Sequence, residues 1–250
     1  MRLLVLPDLQ VPDEDRKAVE SVTRFIEDYQ PDGLLCVGDE LDSPEPSRWN
    51  KGYAGEFAGT LQRSIDRCHD VPRWLRQRTR PGQAVPPDEE QPWRPHSHVH
   101  RPLCASTGKP SCVGLRHPSG AWRSRYHLPL QAVRVRPGWM LAHGDEGSLI
   151  QTSGGTALGL AKKWGRSVVA GHTHKAAIQH HHLTVNGKAT SLLFGMEVGH
   201  LMDVRKADYL KAGSSNWQAA IGLIEVDGRT VHPTLIPLFG SRVRWNGVTY

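Results

Sequence analysis

The sequence predicts an α/β protein: strand–helix repeats that give way to antiparallel hairpins, forming a layered sandwich in a single domain spanning residues 1–250. Three observations carry this. Short apolar runs alternate with amphipathic helical patterns near both ends of the chain. Turn dipeptides, Asn186–Gly187 and Asp227–Gly228, separate strand-like runs in the last third. No internal repeat interrupts the order, so one layered core is expected rather than a solenoid.

The elements follow in chain order. Arg2–Leu6 suits a buried strand, and Asp13 is placed to cap a helix with Ala18, Val22, Phe25, Ile26 and Tyr29 on one face. Pro31 and Gly33 end that helix, and Leu34, Leu35, Cys36 and Val37 make the next strand. Phe57, Leu61, Ile65 and Cys68 mark a second amphipathic helix. Further on come a strand at Trp139–Ala142, a helix at Thr156–Trp164 with a Gly165 stop, and a strand at Ser167–Ala170. Leu183–Val185 and Ser191–Phe194 flank the first hairpin turn, and Ile221–Val226 precedes the second, with a further strand after it.

Composition narrows the class. A hydrophobic content of 38% with 22% charged residues fits a soluble globular chain, and no apolar run reaches the ~20 residues of a membrane span. The opening MRLLVLPDLQ has too short an apolar core for a signal peptide. Cys36, Cys68, Cys104 and Cys112 form no CxxC pair, so a reduced, cytoplasmic chain is expected. The net charge of +6 is local: Pro72–Leu130 holds nine Arg and one Lys against three acids, while the remainder nets −1. A nucleic-acid-binding module would draw its basic face from several elements, so this distribution argues against one.

Four apolar strands end in potential metal ligands. They deliver Asp8-Leu9-Gln10, Gly38-Asp39-Glu40-Leu41-Asp42, His143-Gly144-Asp145 and Gly171-His172-Thr173-His174. Loops at the strand ends of an α/β sheet converge on one crevice, and glycine beside a ligand allows a sharp turn and close approach. Singly, each residue also reads as a cap, a turn or an interior histidine. In this order, each directly after a strand, they form a set.

The set resembles the calcineurin-like metallophosphoesterase superfamily, with its D-x-H, G-D-x-x-D, G-N-H-D/E, histidine and G-H-x-H motifs. The likeness covers roughly residues 1–71 and 131–250. It implies a β-sandwich flanked by helices, with two divalent ions (Mn, Fe or Zn) at the strand ends and a phosphate ester as substrate. Carried over, it implies that Asp39 bridges the ions, that Asp8, Gln10 and His174 complete one site, and that His172 and His143 serve the other. Two ions ~3.5–4 Å apart can activate water and steady the attacking and leaving oxygens.

Two departures stand out. Gln10 replaces the usual histidine, and an amide oxygen makes a weaker, less zinc-like ligand. The chain also contains no Asn-His dipeptide, so the family's second-metal asparagine and phosphate-contacting histidine have no counterpart. Catalytic residues are therefore not assigned from the motifs.

The missing motif belongs in 72–130, an anomalous Pro/Arg-rich segment with ten of the 18 prolines, three tryptophans, five histidines and no sustained periodicity. Glu89–Trp93 is encoded by codons of the form GAR GAR CAR CCN TGG; one nucleotide later these permit Arg-Ser-Asn-His-Gly. We read the segment as translated out of frame, entering near Val71–Pro72 and leaving between Ala121 and Arg136, and the coding DNA decides it. A genuine insertion or disordered loop is the alternative. On the same reading, His96-Ser97-His98-Val99-His100 and the run Arg73–Arg80 are coding accidents; His180–His182 reads as an exposed strand start, with contact to substrate the alternative.

The expected function is hydrolysis of phosphate mono- or diesters, with nucleotides and nucleic acid among the substrates the family admits. A catalytically inactive metal-binding or degenerate product is the alternative. No membrane partner is expected, and no sequence feature specifies an oligomeric state.

Overall fold

A computed structural model of the chain describes residues 1–42, 67–68, 70, 133–136, 138–207 and 215–250. Strand β1 (Arg2–Leu6) is buried almost throughout, and its alternation decides the layering. Leu3 and Val5 face one way, into a cluster with Trp139, Leu141, Val169, Met196, Val198 and Ile224. Leu4 and Leu6 face the other, packing with Val22, Phe25 and Ile26 of helix α1 (Arg16–Tyr29). A strand apolar on both faces has to be covered twice, here by a second sheet and by a helix.

In the first sheet β1 lies between β2 (Gly33–Cys36), parallel to it, and β8 (Ala220–Asp227), antiparallel to it. Strands β9 (Thr230–Phe239), β10 (Arg242–Trp245) and β11 (Val248–Thr249) continue it as antiparallel neighbours. The second sheet runs β3-β4-β5-β7-β6: β3 (Val133–Arg136), β4 (Trp139–Leu141), β5 (Ser167–Ala170), β7 (Lys188–Val198) and β6 (Ala176–Val185). Helix α2 (Gly155–Trp164) covers its outer face through Ala157, Leu160 and Ala161 over Val168 and Ala170. The described residues thus stack helix, sheet, sheet and helix, the expected sandwich with later strands antiparallel.

Several local expectations need correction. Helix α1 is capped by Asp15, whose carboxylate accepts from Lys17 N at 3.0 Å and Ala18 N at 3.3 Å; Asp13 instead turns back to Gln10 through its own N–H. Both are acids ahead of the same apolar face, so spacing alone did not separate them. Gln30, with φ 50°, closes that helix, and Gly165, with φ 63°, closes α2 as expected. The hairpin strands are longer than expected: β6 and β7 pair from Ala176↔Val198 to Val185↔Lys188 around Asn186–Gly187. Cys36 is a free thiol while Cys68 is disulfide-bonded, against the fully reduced chain expected; cysteine spacing carries no information on such pairing.

Most of the second expected helix and all of 72–130 lie outside the described residues, as does the proposed place of the Asn-His motif. No described helix is long and apolar enough to cross a membrane.

Candidate metal centre

The six residues singled out from the motifs gather at one end of the sandwich. Asp8 and Gln10 follow β1, Asp39 follows β2, His143 follows β4, and His172 and His174 follow β5. Backbone hydrogen bonds lace these loops together. Gln10 N donates to Asp39 O at 2.9 Å, Val11 N to Glu40 O at 2.8 Å, and Gly171 N to His143 O at 2.8 Å. Across the two sheets, His172 N donates to Asp8 Oδ2 at 2.7 Å.

Four of the six adopt left-handed backbone: Gln10 (φ 54°), Asp39 (47°), His172 (66°) and His174 (55°). Each costs about 1–3 kcal/mol for a non-glycine residue, and such strain collects where side-chain aim matters more than stability. The neighbouring glycines are required by space. A Cβ on Gly38 would lie 2.7 Å from His143 Nδ1, and one on Gly171 would collide with Val37 and Asp8.

Two donor groups result, each with ligand atoms within 4.8 Å of one another: Asp39, His143 and His172; and Asp8, Asp39 and His174. Asp39 belongs to both. Its Oδ1 lies 3.7 Å from His143 Nε2, and its Oδ2 accepts from Gln10 Nε2 at 3.2 Å. His174 Nε2 sits 3.4 Å from both Asp8 Oδ2 and Gln10 Nε2. Asp8 is fully buried, Gln10 is 2% exposed and His174 5% exposed. His143 Nε2 and His172 Nδ1 are 3.0 Å apart. Burial, then the neighbouring His143, lowers the pKa of His172, which favours the neutral imidazole that a metal needs.

The residues present fit divalent ions. The donors are imidazole and carboxylate, the set that suits Mn, Fe or Zn. Gln10 Oε1 is buried without a hydrogen-bond partner among the described residues, and a polar atom left so is normally satisfied by a ligand or ion.

Three neighbours were not anticipated. His200, 4% exposed, bridges Asp8 in parallel backbone pairing and accepts from Met202 N at 3.1 Å through Nδ1. It follows Val198–Gly199, the same strand–glycine–histidine order as Gly171–His172, and that order was the signal to read. Trp217 sets its ring edge-on to His174, with centroids 4.5 Å apart. Glu197 is wholly buried in a strand that also carries Lys188, Thr190 and Ser191, so the sequence did not set it apart. Conversely, His180 and His182 sit exposed on β6 rather than among the donors, in the middle of the strand and not at its start as expected.

Two stacked sheets flanked by helices, with loop-borne carboxylates and imidazoles gathered at the strand ends, are the arrangement that the resemblance to metallophosphoesterases implies. No protein-family model matches the chain. It is 33% identical over 250 residues to the gene 54 protein of Mycobacterium phage L5, covering 98% of this chain and 97% of that one. The gene 54 protein of Mycobacterium phage D29 matches with the same identity and coverage. The chain belongs to this family of mycobacteriophage gene 54 proteins. Among solved structures it is similar to Vps29 from Entamoeba histolytica complexed with Zn²⁺ (TM-score 0.45, 14% identity, 98% of this chain and 96% of that one). Vps29 from Cryptosporidium parvum is comparable (TM-score 0.44, 16% identity, 100% and 94%).

Proposed function

We propose that this protein is a metal-dependent hydrolase of phosphate mono- or diesters, built on a pair of divalent ions that share Asp39. The observation that carries the reading is the double membership of Asp39: one carboxylate oxygen faces His143, the other faces Gln10. A carboxylate presented to two donor groups is the means by which proteins hold two cations close together. Asp8, Gln10 and His174 would hold one ion, and His143 and His172 the other.

Bound divalent ions would supply Lewis acidity and charge neutralisation for attack on phosphorus. The chain's own residues orient. Val37 O receives the Nδ1–H of His143 at 3.1 Å, leaving Nε2 as the lone pair turned toward Asp39 and His172. Glu146 accepts from His143 N at 3.1 Å and Gly144 N at 2.8 Å, fixing the loop from which that imidazole projects. Asp8 fixes the His172 backbone in the same way. Nucleotides and nucleic-acid phosphodiesters are among the substrates this chemistry admits.

The test is Mn²⁺ uptake together with hydrolysis of a chromogenic phosphodiester, for wild type and Asp39→Asn. Loss of both ions and of turnover in the variant is expected; undiminished two-metal binding and turnover would refute the shared carboxylate. A second reading, a metal-binding protein without turnover, is favoured by the absence of any Asn-His dipeptide. Metal uptake by the wild type without hydrolysis would decide for it.

A further inference from the structure

We propose that Glu197 is a positioning residue for the His172–Thr173–His174 loop, holding it through the Thr173 hydroxyl. This inference rests on the reading of His172 and His174 as metal-holding residues. Glu197 lies one residue from the end of β7, wholly buried, on the second sheet. Its Oε1 accepts from Thr156 N at 2.9 Å and Ala157 N at 3.3 Å; its Oε2 accepts from Gly154 N at 3.0 Å. The same Oε2 accepts from Thr173 Oγ1 at 3.0 Å.

A buried carboxylate is tolerated only where donors replace water. Here three backbone N–H groups at the start of α2 supply most of that replacement, with the positive end of the helix dipole behind them. The fourth donor is the one that matters to the site. Thr173 stands between two histidines held in left-handed backbone, a conformation the loop would not keep unaided. Thr173 Oγ1 also accepts from Lys175 N at 3.3 Å, so the hydroxyl ties the loop at two points.

The opposite side of the loop is tied to Asp8 through His172 N. Two buried carboxylates, one from each sheet, thus grip the three-residue segment from either side. Removing the hydroxyl would free one grip while leaving the helix cap intact, and this separates positioning from general stability.

The test uses Thr173→Val, which keeps shape and removes the donor, and Thr173→Ser, which restores it. In metal-free protein, hydrogen exchange of the 171–176 backbone should quicken at least tenfold in the Val variant and stay near wild type in the Ser variant. Mn²⁺ affinity should fall about 10–100-fold in Val alone, the range seen when the groups behind metal ligands are removed. Wild-type exchange in Thr173→Val would overturn the proposal, as would faster exchange with unchanged affinity. Should the wild type itself take up no Mn²⁺, the metal reading falls, and exchange alone then decides whether Glu197 holds the loop.

Discussion

The Nδ1 of His143 donates to the carbonyl oxygen of Val37 at 3.1 Å, so a backbone atom beside β2 of one sheet sets the tautomer of an imidazole carried by the other. His143→Asn keeps a donor in reach of Val37 and removes Nε2. On the proposed two-ion reading, the variant should hold one divalent ion per chain and the wild type two. Elemental analysis of protein equilibrated with Mn²⁺ reads the ratio directly, and an unchanged count would remove His143 from the ligand set.

On the proposed metal reading, Gln10 supplies an amide where imidazole would bind transition metals more tightly. Its φ of 54° is one that His172 and His174 also adopt, so the backbone admits histidine there. Gln10→His should tighten Zn²⁺ binding by roughly tenfold, about 1.4 kcal/mol. Competition against a chromogenic chelator measures it; weaker binding would place Gln10 outside the ion's reach.

Phe25 is fully buried, with ring centroids 5.1 Å from Tyr29, 6.1 Å from Trp245 and 5.4 Å from Tyr250. The cluster ties α1 to the last strands of the first sheet. Phe25→Ala should cost about 3–5 kcal/mol of unfolding free energy. Urea denaturation followed by tryptophan fluorescence reports it, since Trp245 lies in the cluster.

Burial lowers the pKa of His200 from its ordinary value of 6.5 to about 4. The unfolded chain therefore binds more protons than the folded one between these values, and stability rises with pH across that window. The contribution is fully present above pH 6.5, is lost as pH falls, and levels off below about 4. Its size is on the order of 3 kcal/mol. His200→Asn, whose amide oxygen can replace Nδ1 as acceptor for Met202 N, should flatten that part of the profile in denaturation series from pH 7.5 to 4. A slope unchanged by the substitution would assign it to other groups.

The parts legible in the sequence are those where one local signal meets no rival. β1 and β5 are continuous apolar runs, and both coincide with their expected bounds. Helix α2 carries an apolar face and a glycine stop, and its bounds fall within one residue of expectation. β10 and β11 were missed because Arg242–Trp245 and Val248–Thr249 are short, half polar, and made into strands only by their neighbours. β9 follows the Asp227–Gly228 turn as expected, although Pro233 and Pro237 argue locally against a strand that pairing with β8 sustains.

The site divides along the same line. Asp8, Gln10, Asp39, His143, His172 and His174 were visible because each directly follows an apolar strand. Glu197 was not, because the donors that justify its burial, Gly154 to Ala157, lie some forty residues away and meet it only in the fold. Nothing in a linear pattern encodes that meeting.

The two sheets contribute unequally to the cluster: carboxylates and the amide come from the first, imidazoles from the second. The spacing between the halves is therefore a property of the core. Met196 and Val198 of one sheet stand so close to Gly222 of the other that an added Cβ would lie 2.8 and 2.9 Å from them. The interior of the sandwich acts as a caliper, and its setting is transmitted to the jaws at the strand ends. A slip of one sheet past the other by a single residue, about 3.3 Å, would carry the histidines away from the aspartates altogether. A substitution such as Gly222→Ala, touching no donor, would press on Val198 and so act on the spacing of the jaws from within the core.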